Sequence, residues 1–230
     1  MISNEIHSIA FDADDTLWVN EPYFQETERL FCELLQDYLP PDMISKELFK
    51  TEMENLNLYG YGIKGFMLCM IETLSRVSGG RASLTLVDKV MELGKALLQK
   101  PVELLDGVKE VLDSLKGNFR LIVATKGDLL DQERKLKKSG LLDCFHHIEI
   151  MSDKGASDYR KLLKHLDCKP EHFLMIGNSV KSDIIPVLEI GGFAAHVPYH
   201  TTWAHEEVKS GVGHPRFIQL TTISEIKQLL

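Results

Sequence analysis

Short apolar runs that stop abruptly at polar clusters set the tightest limit on how this chain folds. Ile6, His7, Ser8, Ile9, Ala10 and Phe11 form one such run, and it ends on Asp12, Asp14 and Asp15. Residues 119–124 form a second, ending on Thr125 and Gly127, and shorter runs cover 147–150, 173–176 and 193–197. A strand covered by helices on both faces needs an almost continuous apolar sequence, and polar residues at its end mark where the chain leaves the sheet. Helical periodicity fills the gaps between the runs. Val108, Val111, Leu112 and Leu115 repeat at helical spacing after a candidate cap at Asp106, and 128–139 and 157–166 supply further crossovers. Strands alternating with helices predict an α/β fold with a doubly wound parallel sheet.

A long stretch interrupts this alternation. Between the first strand and residue 119 lie helical patterns at 22–38, 42–56, 63–77 and 84–99. Leu30, Phe31, Leu34, Leu35 and Tyr38 give one apolar face, and Phe66, Met67, Met70, Ile71 and Leu74 another. Such faces are explained by mutual packing in a small helical bundle. The expected division is a core of residues 1–17 and 102–230 with an inserted bundle at 18–101, hinged near 18–21 and 99–106.

Composition excludes several classes. With 230 residues, 44% hydrophobic and 26% charged, the chain can bury a core and shows no disordered tract. Its formal net charge of -8 disfavours a nucleic-acid surface, which needs clustered Lys and Arg. Cys32, Cys69, Cys144 and Cys168 contain no CxxC pair, so buried, reduced thiols are expected. No apolar stretch approaches the roughly 20 residues needed to span a bilayer, and the first residues lack a signal-peptide pattern. No membrane association and a cytoplasmic location are the expectation.

The acidic segment Asp12-Ala13-Asp14-Asp15-Thr16 carries the most chemical information. Alone it is as well explained by a solvated acidic turn. After an apolar strand it gains weight, because ligands of open α/β sheets bind beyond the strands' C-terminal ends. Two carboxylates brought together there suit a nucleophile and a general acid. Thr125 has a donor hydroxyl at a second strand end, and Lys154 brings a positive charge after a third. Lys126, Lys161 and Lys164 compete with Lys154; Lys161 and Lys164 fit a helix surface, and Lys126 fits a substrate contact beside Thr125. Asn178 and Asp183 follow the fourth run, where either a cation or the next helix can use them.

In order and placement these segments resemble the haloacid dehalogenase superfamily: Asp12 to Thr16 is similar to motif one, Thr125 to motif two, Lys154 to motif three, and Gly177-Asn178-Ser179 through Asp183 to motif four. The resemblance spans nearly the whole chain and implies a Rossmann-like core with a helical cap inserted after motif one. It implies that Asp12 attacks phosphorus to form an aspartyl-phosphate, and that Asp14 protonates the leaving oxygen and then activates water. Mg2+ is the implied cofactor, held by the Asp12 carboxylate, the Asp14 carbonyl and a motif-four side chain, Asn178 or Asp183. Asn178 departs from the acid that many members carry at that position.

The expected activity is therefore magnesium-dependent hydrolysis of a small phosphorylated metabolite. Within the same superfamily a dehalogenase or a phosphomutase is the alternative; outside enzymology, a phosphate-binding or interaction protein. Substrate contacts are expected from Thr125, Lys126 and Lys154, and from Tyr61 and Lys64 in the glycine-punctuated segment 59–64. His196, His200, Trp203 and His205 suit a substrate-side loop without forming a metal signature.

Overall fold

The computed structural model describes residues 5–208 and 211–230. Six strands, β1 (Ser8–Phe11), β2 (Arg120–Lys126), β3 (His147–Met151), β4 (Phe173–Gly177), β5 (Phe193–His196) and β6 (Phe217–Gln219), form one sheet in the order β3-β2-β1-β4-β5-β6. Every neighbouring pair is parallel. The order reverses between β1 and β4, the switch point at which ligands of doubly wound sheets bind.

Period-two alternation places the strand residues in two cores. Ile9, Phe11, Leu121, Val123, Leu174 and Ile176 pack on one face against Val108, Val111, Leu112 and Leu115 of α5 (Val108–Leu115). Ala10, Ile122, Ala124, Phe173 and Met175 pack on the other face with Tyr159, Leu162 and Leu163 of α7 (Ala156–His165) and Val187 of α8 (Ile185–Glu189). Each fully buried aliphatic or aromatic side chain contributes about 1.5–3 kcal/mol. The sheet's C-terminal edge is thus fixed from both sides before any polar residue is considered.

Three expectations about local structure change. The second strand does not stop at Ala124: Thr125 and Lys126 stay in register with Ile150 and Met151, so both are strand residues. A sixth strand, Phe217–Gln219, joins the edge beyond the five runs read as strands. Gly107, not Asp106, takes the N-cap position of α5 in a left-handed conformation, φ 80°.

The chain divides into two compact units, the first comprising Met1–Glu21, Val102–Lys126 and Gln132–Leu230, the second Pro22–Pro101 and Gly127–Asp131. Residues 18–21 therefore group with the sheet. The second unit is built from α1 (Glu21–Leu34), α2 (Pro41–Tyr59), α3 (Ile63–Val77) and α4 (Leu84–Leu98). Its core is Phe31, Leu35, Ile44, Leu48, Phe66, Met70, Leu74 and Val90. Of the expected apolar face Phe31 and Leu35 are buried, whereas Leu30 is exposed within α1 and Tyr38 is exposed beyond its end at Leu34. No helix among the described residues is long and apolar enough to cross a membrane. Cys32, Cys69 and Cys144 are buried free thiols, whereas Cys168 is only partly buried.

Candidate active site

β1 delivers Asp12 directly to the switch point, where its amide donates to the Ile176 carbonyl of β4 (2.9 Å). The carboxylate is almost fully buried. Lys154, beyond β3 and itself buried, donates its ammonium to Asp12 Oδ1 and to Asp183 Oδ1, the latter at 2.6 Å. Burial lifts the Asp12 carboxyl to about 7; Lys154 pulls it down and Asp183 pushes it up. Burial by itself would lower the Lys154 ammonium, but the two carboxylates overcome this and raise it. Two acids share one cation, so a second positive charge on the other Asp12 oxygen would favour the ionised form of Asp12.

That other oxygen faces a small ring of polar atoms. One terminal atom of the Asn178 amide lies 3.2 Å from Asp12 Oδ2, 3.3 Å from the Asp14 carbonyl oxygen and 3.1 Å from Thr16 Oγ1. With nitrogen in that place, the amide donates to all three. With oxygen there, Asn178, Asp12 and Asp14 turn three acceptors toward one another, which a hard cation would stabilise. Octahedral magnesium sets adjacent ligand oxygens about 2.9 Å apart, given metal–oxygen distances of about 2.0–2.1 Å. The donor set of one carboxylate, one carbonyl and one amide oxygen fits such an ion. Among the described residues no three His, Cys, Asp or Glu side chains gather as a metal set. Asp183 stands outside this ring: one of its oxygens takes Lys154 and the other accepts the Ser179 amide at 3.0 Å.

Motif four has its own local logic. A Cβ at Gly177 would lie 2.2 Å from Asp183 Oδ2, so only glycine lets that carboxylate fold back over the end of β4. The following Val180–Ile184 turn is a π-helix, a geometry frequent at functional sites. Buried Tyr159 donates its hydroxyl to the Ser182 carbonyl of this turn, 3.0 Å away. His196 fastens the same region through the Asn178 carbonyl (3.0 Å).

The Asp14 side chain points to a different set of partners. Trp18 Nε1 (2.7 Å) and Lys135 Nζ (2.6 Å) donate to its Oδ1, and Gln132 Nε2 (2.8 Å) donates to its Oδ2. Gln132 also reaches Thr125 Oγ1 at 3.2 Å, linking Asp14 to the end of β2. Sequence reasoning missed Trp18, Gln132 and Lys135. The one available signal was that Gln132 and Lys135 are three apart on α6 (Leu129–Ser139) and so share a face.

Of the expected site residues, the structure brings together Asp12, Asp14, Thr125, Lys154, Asn178 and Asp183 around the ends of β1 to β4. Lys126 lies beside them, but its ammonium is engaged by Glu206 (2.6 Å) and Ser182 (2.9 Å). Tyr61 and Lys64 belong to the helical unit, where Lys64 pairs with Asp128 at 2.9 Å. His200 lies against Tyr199 with its ring tilted by 44°, while His205 contacts Lys181.

A family model described as haloacid dehalogenase-like hydrolase matches residues 6–191. A haloacid dehalogenase-like hydrolase structure from Xanthomonas campestris is 37% identical, with a TM-score of 0.87 over 98% of this chain and 90% of that one. The HAD-hydrolase YfnB of Bacillus subtilis is 27% identical over 96% of this chain and 93% of its own length. Its magnesium-bound structure has a TM-score of 0.65 over 98% of this chain and 99% of that one. The pyrimidine 5'-nucleotidase YjjG of Escherichia coli is 23% identical over 96% of each chain.

Proposed function

Because this chain belongs to the haloacid dehalogenase-like hydrolases, we propose that it is a magnesium-dependent phosphohydrolase acting on a small phosphorylated metabolite. The observation that carries the proposal is the environment of Asp12: one oxygen on the Lys154 ammonium, the other turned to the Asp14 carbonyl and the Asn178 amide. Asp12, the Asp14 carbonyl and Asn178 would hold a magnesium ion, which would supply Lewis-acid neutralisation of phosphate charge. Thr125 donates its hydroxyl to a phosphoryl oxygen, and Lys154 offsets the charge that Asp12 and phosphate bring together. Asp12 forms a bond to phosphorus as the bond to the leaving oxygen breaks, and Asp14 gives that oxygen a proton. Asp14 then takes a proton from water as the water oxygen attacks phosphorus and Asp12 is released.

Asp14 favours this chemistry over halide release, because an alkoxide leaving group needs a proton and a halide does not. The name of the nucleotidase relative supports phosphate esters as the substrate class, and we assign Tyr61 and Lys64 of the helical unit to leaving-group selection. The test is phosphate release from p-nitrophenyl phosphate with and without magnesium, followed by kcat/KM across phosphorylated sugars, nucleotides and small acids. Magnesium-dependent phosphate release is expected. Halide release from a 2-haloacid without phosphatase activity would overturn the proposal.

A further inference from the structure

Glu206 lies on the connection between β5 and β6, outside every segment that resembles a family motif, yet its carboxylate is enclosed by two serines of motif four and by the lysine that follows Thr125. Lys126, at the end of β2, donates to Oε1 at 2.6 Å. Ser179 and Ser182 donate their hydroxyls to Oε2, Ser182 at 2.6 Å. Only 12% of the Glu206 side chain and 14% of the Lys126 side chain is exposed, so this ion pair is not a solvated surface contact. Burial alone would raise the Glu206 carboxyl, but Lys126 and the serine hydroxyls hold it down at about 2. It is therefore ionised throughout the neutral range.

The two serines are the residues that shape motif four. Ser179 follows Asn178 and donates its amide to Asp183 Oδ2 (3.0 Å), while its hydroxyl accepts the Ser182 amide (3.0 Å). Ser182 precedes Asp183, whose other oxygen takes the Lys154 ammonium that also holds Asp12. Contacts thus run without a gap from Glu206 through the Val180–Ile184 turn to the nucleophile. We propose that Glu206 is a positioning residue: its carboxylate clamps the turn that presents Asn178 and Asp183 and draws Lys126 against that turn. The clamp needs charge as well as shape, because a neutral amide cannot accept from two hydroxyls and also neutralise an ammonium.

This inference rests on the phosphohydrolase proposal for its kinetic consequence but not for its structural one, so two measurements are made on Glu206→Gln in the full chain. Hydrogen exchange at the Ser179, Ser182 and Asp183 amides should quicken about tenfold, as loss of a hydrogen bond worth about 1.4 kcal/mol implies, while β4 exchange stays unchanged. Unchanged exchange in the turn overturns the proposal whether or not the protein hydrolyses phosphate esters. With p-nitrophenyl phosphate, kcat should fall about 10–100-fold, as when outer-shell partners of metal ligands are removed, with KM within about threefold. Quickened exchange with wild-type kcat would leave Glu206 a structural residue only and also overturn the proposal. If the wild type releases no phosphate, the proposed reaction fails while the exchange result still decides the role of Glu206. Should Glu206→Gln not fold, Glu206→Asp keeps the charge but withdraws the carboxylate by one methylene, and the same two losses are expected in smaller measure.

Discussion

The two compact units use charge in opposite ways. In the helical unit Arg76 joins Glu54 and Glu72 across α2 and α3, with side chains 31–44% exposed. In the sheet unit Asp12, Lys154 and Asp183 meet with side chains 1–10% exposed. Exposed pairs add little to stability, and buried ones are expensive to assemble and expensive to break. A fold that needed only stability would fill the second location with apolar side chains. Charges kept there despite their cost point to chemistry, so substitutions in the two units should separate activity from stability.

The largest separation is expected at Asp12 and Asp14. Asp12→Asn replaces the proposed nucleophile with an amide and relieves the repulsion with Asp183, so phosphate turnover should fall by about 10⁴-fold or more while the melting temperature holds or rises. Asp14→Asn should lose about 10²–10⁴-fold with ordinary phosphate esters and much less with aryl phosphates whose leaving oxygen needs little protonation. Rapid-quench detection of protein-bound phosphate in both variants checks the order. Robust turnover by Asp12→Asn would break the link between buried charge and chemistry.

Lys154→Met removes the cation that two carboxylates share. At pH 8 the cost should be about 3–5 kcal/mol in denaturant unfolding, with activity lost as well. Near pH 5 the cost should shrink, because the Asp12 carboxyl, which burial raises to about 7, is then protonated and brings no charge to the pair. A loss independent of pH would mean that Lys154 matters through packing alone.

The acidic loop itself should make the cation-free protein less stable as pH rises. Asp15 is lifted to about 7 by burial, although the Asn20 and Glu21 amides pull it down. A carboxyl raised in the native state binds more protons there than in the unfolded chain, so its stabilising contribution is complete below about pH 4 and is lost as pH climbs toward 7. Asp12 acts in the same direction. Melting curves without divalent cations should therefore fall across pH 4–7, and Asp15→Asn should flatten that slope by up to about 1.4 kcal/mol per pH unit. A slope unchanged in Asp15→Asn would remove Asp15 from this account.

Sequence alone made the sheet legible where a strand is buried on both faces, since Ile6 to Phe11 and residues 173–176 leave no polar face to confuse with a helix. It failed at β6, where two half-buried residues, Phe217 and Ile218, and the exposed Gln219 carry too little pattern. The end of β2 was cut short because Thr125 and Lys126 look like loop residues, although they pair with β3. Strand-end position made Asp12, Thr125, Lys154 and Asn178 visible as site candidates. Gln132, Lys135 and Glu206 were invisible for a physical reason. A polar residue on a helix or a loop has the same sequence signature whether water or another side chain satisfies it, and only the fold decides which.

Asn178→Asp tests the cation ring at a smaller scale. Replacing a neutral amide by a carboxylate beside Asp12 Oδ2 and the Asp14 carbonyl adds charge where a hard cation would sit. Titration calorimetry without substrate should show magnesium binding tightened by about tenfold or more, and the metal-free variant should melt lower than the wild type because two carboxylates then face each other. Unchanged magnesium affinity would place the cation elsewhere.

The smallest effect is expected in the helical unit. Glu54→Gln removes one carboxylate from Arg76, yet the guanidinium keeps Glu72, and the Asn55 amide still donates to Thr51 O (3.1 Å) and to Glu72 Oε2 (2.8 Å) beneath it. Asn55 is buried and the ion pair is not, so the join between α2 and α3 rests on the amide and on the Phe66, Met70 and Leu74 core rather than on the charges. Glu54→Gln should therefore melt within about 2 °C of the wild type at 0.15 M salt, with the difference vanishing at 1 M as screening removes what remains. Turnover of p-nitrophenyl phosphate should be unchanged. A drop of several degrees that persists at 1 M salt would show that exposed charge in this unit is structural after all, and would erase the contrast with the buried charges around Asp12.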